Sequence, residues 1–131
     1  MEFEYLTVED VVDLHDMALR DYGGFPGRDP GNLEAKLAIP MSGFGSYERY
    51  PTIEEKAAVY HYMLADGHTF KDGNKRTSYL AVATFLDWNG YELVATDDEI
   101  YEWTLILAND KTRPPFEEAV HWIRTHMERQ E

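Results

Sequence analysis

The sequence predicts an all-α fold, a compact bundle of about six helices within a single domain spanning residues 1–131. Three observations carry that prediction. Apolar residues recur at three- and four-residue intervals along most of the chain, as one buried helix face requires. Thr52 with Glu55 and Thr96 with Glu99 have the spacing of capping boxes, each side chain satisfying a backbone N–H of the first turn. Strand signals are confined to one short stretch, and 131 residues with 44% hydrophobic content suffice to bury a core.

Taken in order, Thr7 is placed to cap a first helix. Val8, Val11, Val12, His15, Ala18, Leu19 and Tyr22 follow on one face until Gly23-Gly24 stops it. A short helix is expected over Asn32 to Ala38, ending before Pro40. Residues 40–51 hold two Gly and two Pro without periodicity and read as an exposed loop or flap. Within it, Tyr47 to Tyr50 are candidates to dock a target segment, as loops often do. The Thr52 box opens a helix with Ile53, Ala57, Tyr60 and Leu64 as its buried stripe, and Asp66-Gly67 ends it.

The next helix, Asn74 to Trp88, is apolar almost all round between Tyr79 and Leu86, so it belongs at the centre of the bundle. Asn89-Gly90 closes it. Tyr91 to Ala95 has the pattern of a short strand, with no partner identifiable in the sequence. The Thr96 box starts a helix along Ile100, Trp103 and Leu107, and Pro114-Pro115 starts the last, with Phe116, Ala119, Val120, Ile123 and Met127 on one face. Trp88, Trp103 and Trp122 have core spacing. His15, His61, His121 and His126 lack zinc-like spacing with carboxylates and read as packing or surface residues.

Charge excludes several functions. Twelve Lys and Arg against 25 Asp and Glu leave a net charge of −13, the wrong sign for neutralising phosphates, so no direct nucleic-acid partner is expected. No run approaches the roughly 20 apolar residues of a membrane helix, and Glu2 and Glu4 stand where a signal peptide would be basic. The absence of cysteine excludes disulfides and thiolate metal sites and fits a reducing compartment; a cytoplasmic location is expected. Only five Lys among so many acids fit a solvated surface, or adaptation to a saline habitat.

The chemistry concentrates in residues 68–77, HTFKDGNKRT. Asp66-Gly67 drops His68 into a loop between two helices, the second being the buried central one. The helix that follows offers unpaired N–H groups and the positive end of its dipole, a ready anion site. Gly73 lets backbone approach a ligand, and Asn74 can cap the helix and fix the loop. Lys75 and Arg76 lie in the first turn, where the dipole disfavours cations, so a bound anion would compensate them. A lone carboxylate beside such a cluster, Asp72, suits Mg2+ among phosphates. A histidine such as His68 can accept a hydroxyl proton near neutral pH, and Phe70 plugs the loop into the core. Each residue alone is more often structural; gathered at one helix start they point to transfer from a nucleoside triphosphate to a hydroxyl.

These residues resemble the signature of the Fic/Doc family, roughly His-x-Phe-x-Asp/Glu-Ala/Gly-Asn-Lys/Gly-Arg, matched by His68, Phe70, Asp72, Gly73, Asn74, Lys75 and Arg76. The likeness extends to Gly27-Arg28-Asp29, Asn32-Leu33-Glu34, Leu37 to Pro40, Tyr50 to Thr52, Glu55 to Ala58 and Phe85 to Tyr91. The resemblance implies a Fic fold with His68 as general base, Asp72 as Mg2+ ligand, and Gly73, Asn74, Lys75 and Arg76 on the phosphates of ATP. It also raises Arg28 to a second-rank site candidate.

Typical adenylyltransferases of the family carry Pro after the His and Gly after the Asn; here those places hold Thr69 and Lys75. Lys75 resembles the Doc-type toxins, in which ATP is held reversed and the γ-phosphoryl group is transferred. The expected activity is therefore phosphorylation of a Ser or Thr on a protein, with a translation elongation factor as the implied target. Leu80 departs from that branch, where Asn is expected. No Ser or Thr has Glu four residues on, so the internal inhibitory helix of self-inhibited members has no counterpart, and the resemblance implies control in trans by an antitoxin. The alternatives are protein adenylylation and a non-catalytic nucleotide-binding regulator.

Overall fold

The computed structural model describes residues 2–29 and 31–131. Among these residues, six helices and two small two-stranded antiparallel pairings follow in the order α1 (Val8–Tyr22), α2 (Asn32–Leu37), β1 (Gly43–Phe44), β2 (Tyr47–Glu48), α3 (Ile53–Leu64), α4 (Asn74–Trp88), β3 (Tyr91–Leu93), α5 (Asp97–Ala108), α6 (Phe116–Thr125) and β4 (Met127–Arg129). The fold is all-α in class, as the sequence predicts. Capping boxes start α3 and α5, with Thr52 and Thr96 each accepting from the N–H three residues on; Thr7 and Asp10 make a third at α1.

At the centre lies α4, packed against α1, α3, α5 and β3, while α3 also meets α2 and α6. Their shared core includes Val11, Ala57, Tyr60, Leu64, Phe70, Ala81, Val82, Phe85, Leu86, Leu107 and Ile123. Helix α3 is buried on more sides than the predicted stripe. Lys56 is fully enclosed there, its Nζ over the rings of Phe3 and Tyr5 and bonded to Pro40 O and Glu48.

Residues 40–51 are largely exposed, as expected of a loop or flap, and within them β1 and β2 pair antiparallel, Phe44 facing Tyr47 in the register, around the Gly45-Ser46 turn. Two-residue strands leave too little alternation for a sequence pattern to register. Three expectations are corrected. The strand at Tyr91 does have a partner, because β4 pairs with it, Tyr91 opposite Arg129 and Leu93 opposite Met127. Met127 therefore lies on a strand, not on the last helix, which ends at Thr125; its four-residue spacing from Ile123 fits one face of a helix and one face of a strand alike. Trp88, at the C-terminal end of α4, is 44% exposed and is not core. Trp103 and Trp122 do pack, their rings stacked 5.7 Å apart.

Candidate active site

The chain between α3 and α4 is a loop held by side chains and by backbone from a distant segment. Asn74 is buried, and its side chain closes a reciprocal pair with Phe70, Oδ1 accepting from Phe70 N at 2.9 Å and Nδ2 donating to Phe70 O at 2.8 Å. Asn74 thus fixes the loop but does not cap α4. That place is Gly73, at φ +81° and with no side-chain cap. A side chain would be strained there, and its Cβ would lie 3.4 Å from the His15 ring. Phe70 is the expected plug, 5% exposed and stacked on His15 with centroids 3.8 Å apart.

The result is one carboxylate and two cations around the open end of α4. The carbonyl of Asp72 accepts from His15 Nε2 at 2.7 Å, and its Oδ2 accepts from the Phe25 N–H at 2.8 Å. The turn after α1 brings Gly24 so near that a Cβ on it would fall 3.1 Å from Asp72 Cβ. A cleft of about 400 Å3 opens between the ends of α1, α4 and α5, lined by Gly23, Gly24, Asp72, Lys75, Arg76 and Tyr101 among others. No acidic residue occupies the first turn of α4, so the dipole and both cations face this cleft with Asp72 as the acid among its lining residues.

Arg76 is held ready. Its guanidinium lies 3.4 Å over the ring of Tyr22 and 5.4 Å from that of Tyr101, and Nη1 donates to the Tyr79 hydroxyl at 2.9 Å. Burial pushes the Tyr79 phenol above its ordinary range, against the opposing pull of Arg76, so the oxygen stays a neutral acceptor near pH 7. Stacking and one bond leave the remaining guanidinium donors for a ligand.

His68 is exposed and does not line this cleft. It borders two others: one of about 560 Å3 with Asp66, Lys75, Leu105 and Lys111, and one of about 370 Å3 with Arg28 and Lys71. Lys75 lines both the first cleft and the larger His68 cleft, and so forms their common wall. Arg28 sits on a segment paired edge to edge with the loop, Asp29 N donating to Thr69 O and Lys71 N to Gly27 O, each at 2.9 Å. Its guanidinium is bonded to Glu34 at 2.8 Å, and that contact first of all lowers the Glu34 carboxyl.

The motif residues and Arg28 are therefore at or beside the loop, Arg28 on the His68 side and not in the cationic cleft, while Tyr47 to Tyr50 of the flap lie apart, Arg49 and Tyr50 lining a separate pocket with Tyr62 and Phe116. Sequence reasoning missed His15, Tyr22, Gly24 and Tyr101. His15 and Tyr22 were visible only as apolar-face residues seven apart, and nothing in the sequence ties them to a loop fifty residues away.

Among the described residues no three metal-ligating side chains converge. One hard carboxylate oxygen beside two cations and a helix N-terminus fits Mg2+, which takes one or two carboxylates and fills its remaining positions with phosphate oxygens and waters. The same donors fit a polyphosphate.

Comparison with known proteins agrees with this geometry. The model of the Fic/DOC family matches residues 5–86, a span that holds α1 to most of α4 and all the motif residues. Toxin Doc of Mycolicibacterium smegmatis (strain ATCC 700084 / mc(2)155) is 41% identical over 96 residues, covering 72% of this chain and 72% of its own. Protein kinase doc of Escherichia phage P1 is 36% identical over 90 residues, covering 68% of this chain and 71% of its own.

Proposed function

The chain belongs to the Fic/DOC family, and from that premise we propose that it is a Doc-type toxin kinase. It moves the γ-phosphoryl group of Mg-ATP to a Ser or Thr hydroxyl of a protein, a translation elongation factor being the first target to try. Asp72 would hold the Mg2+, which supplies charge neutralisation on the phosphates when bound. Gly73, Asn74, Lys75 and Arg76 hold the phosphate chain at the start of α4, Asn74 by shaping the loop backbone. The acceptor oxygen bonds to the γ-phosphorus as the bond to the β-phosphate oxygen breaks, His68 takes the hydroxyl proton, and ADP leaves.

The observation that carries this reading is Lys75. It stands on the wall shared by the Asp72–Arg76 cleft and the His68 cleft, which suits transfer of the end of the phosphate chain toward the base. Exposure of His68 suits an acceptor carried on a macromolecule. The names of the two relatives, a toxin and a protein kinase, support the same reading, and an antitoxin partner follows from the first. No described helix is long and apolar enough to cross a membrane.

The test is expression in a bacterial host together with transfer from γ-labelled ATP to purified elongation factor Tu. Growth arrest and labelling are expected from the wild type, and neither from His68→Ala, Asp72→Ala or Arg76→Ala. A folded His68→Ala protein that still arrests growth would sink the assignment of the base.

A further inference from the structure

Lys36, on the short helix α2 and outside the motif, is almost enclosed, its side chain 12% exposed. Its ammonium spends all three donors on the stretch around His68: Met63 O at 2.9 Å, Asp66 Oδ1 at 2.7 Å and Thr69 Oγ1 at 2.8 Å. The same Asp66 Oδ1 accepts from the His68 backbone N–H at 2.9 Å. On the other side, the buried Thr69 hydroxyl donates to Asn32 Oδ1 at 2.8 Å. Asn32 and Lys36 are four apart on one face of α2, which is itself anchored by Leu33 and Leu37 in the core. His68 is thus gripped through both of its neighbours, at Asp66 and at Thr69, while its imidazole stays exposed.

Enclosing an ammonium is costly unless each donor is met, and a surface lysine would avoid that cost. Here the donors are met by the last turn of α3 and the loop that follows it, and neither Lys36, Asp66 nor Thr69 lines the cleft of Asp72 and Arg76. We propose that Lys36, with Asn32 and Thr69, is a positioning residue that fixes where the base stands, independently of nucleotide binding. The inference rests on the reading of His68 as the base.

Lys36→Met keeps most of the stem and removes the three donors; Thr69→Val, which removes only the hydroxyl, serves if the first variant does not fold. Three quantities separate the possibilities: the backbone order parameter of His68 by NMR, the affinity for Mg2+ with a non-hydrolysable ATP analogue, and turnover of γ label onto elongation factor Tu. The order parameter should fall from about 0.85 toward 0.6 or below. Turnover should drop roughly 10- to 100-fold, with KM for ATP and analogue affinity within about twofold of wild type. An unchanged order parameter, unchanged turnover, or a parallel loss of nucleotide affinity would each overturn the proposal. A wild-type protein that transfers no label overturns the kinase reading instead, and the order parameter then still decides whether Lys36 holds the loop.

Discussion

A guanidinium lying 3.4 Å over a tyrosine face is oriented before any ligand arrives, and much of this site works in that way. Tyr22→Leu removes the stacking surface and leaves Arg76 with the Tyr79 hydroxyl. Loss of about 0.5–1 kcal/mol of cation–π energy should raise KM for ATP roughly two- to fivefold with kcat little changed, measured by steady-state label transfer. Asn74 carries more weight. Asn74→Ala strands the buried N–H and C=O of Phe70, which should cost about 2–4 kcal/mol and appear as a lowered urea midpoint as well as lost transfer. His61 has a different consequence. Full burial pushes its imidazole down to about 3, with Nε2 2.7 Å from the Thr104 hydroxyl. The native state therefore keeps it neutral, whereas the unfolded chain protonates it below its ordinary range. Stability from this group is complete above about pH 6.5 and is lost as pH falls toward 3, with a slope approaching about 1.4 kcal/mol per pH unit. Urea titrations at pH 7, 6 and 5 on wild type and a folded His61→Gln variant should show a shallower fall in the variant.

Helix α4 does two jobs that pull its sequence in opposite directions. Its middle, Ala81 to Leu86, supplies the core, and its first turn carries Lys75 and Arg76 where a structural helix would carry acids. That conflict is what made the site legible in the sequence: three other helices begin with capping boxes and acidic first turns, and this one does not. The helices themselves were legible because periodicity and caps are local. What was not legible is contact between distant elements: the strand pairing of Tyr91–Leu93 with Met127–Arg129, and the meeting of His15 with Phe70 and Asp72. Neither leaves a trace at short spacing. The caps predict their own cost. Thr52→Ala removes the acceptor of the Glu55 N–H at the start of α3 and should lower stability by about 1 kcal/mol without altering KM for ATP, since α3 reaches the site only through the loop at its far end.

At the scale of the molecule, the excess of 25 acidic over 12 basic residues makes the chain repel itself at neutral pH. Exposed ion pairs set against this, such as Arg124 with Glu54 at 3.2 Å, are worth little each, and the more enclosed pairs of Lys36 with Asp66 and Lys56 with Glu48 are screened less by salt. Repulsion should therefore dominate the salt response, and the melting temperature should rise by a few degrees between about 0.05 and 0.5 M NaCl, read by calorimetry. A fall would mean that the ion pairs matter more than the net charge. The cationic cleft is the exception on a chain of net charge −13, and this contrast suits a site that admits a polyphosphate. Which bond of that polyphosphate breaks is the central question. Parallel incubations with α-labelled and γ-labelled ATP, using elongation factor Tu and whole lysate as acceptors, answer it directly. A Doc-type kinase leaves γ label on a protein acceptor and no α label, and His68→Ala leaves neither; α label on the acceptor would instead make the chain an adenylyltransferase.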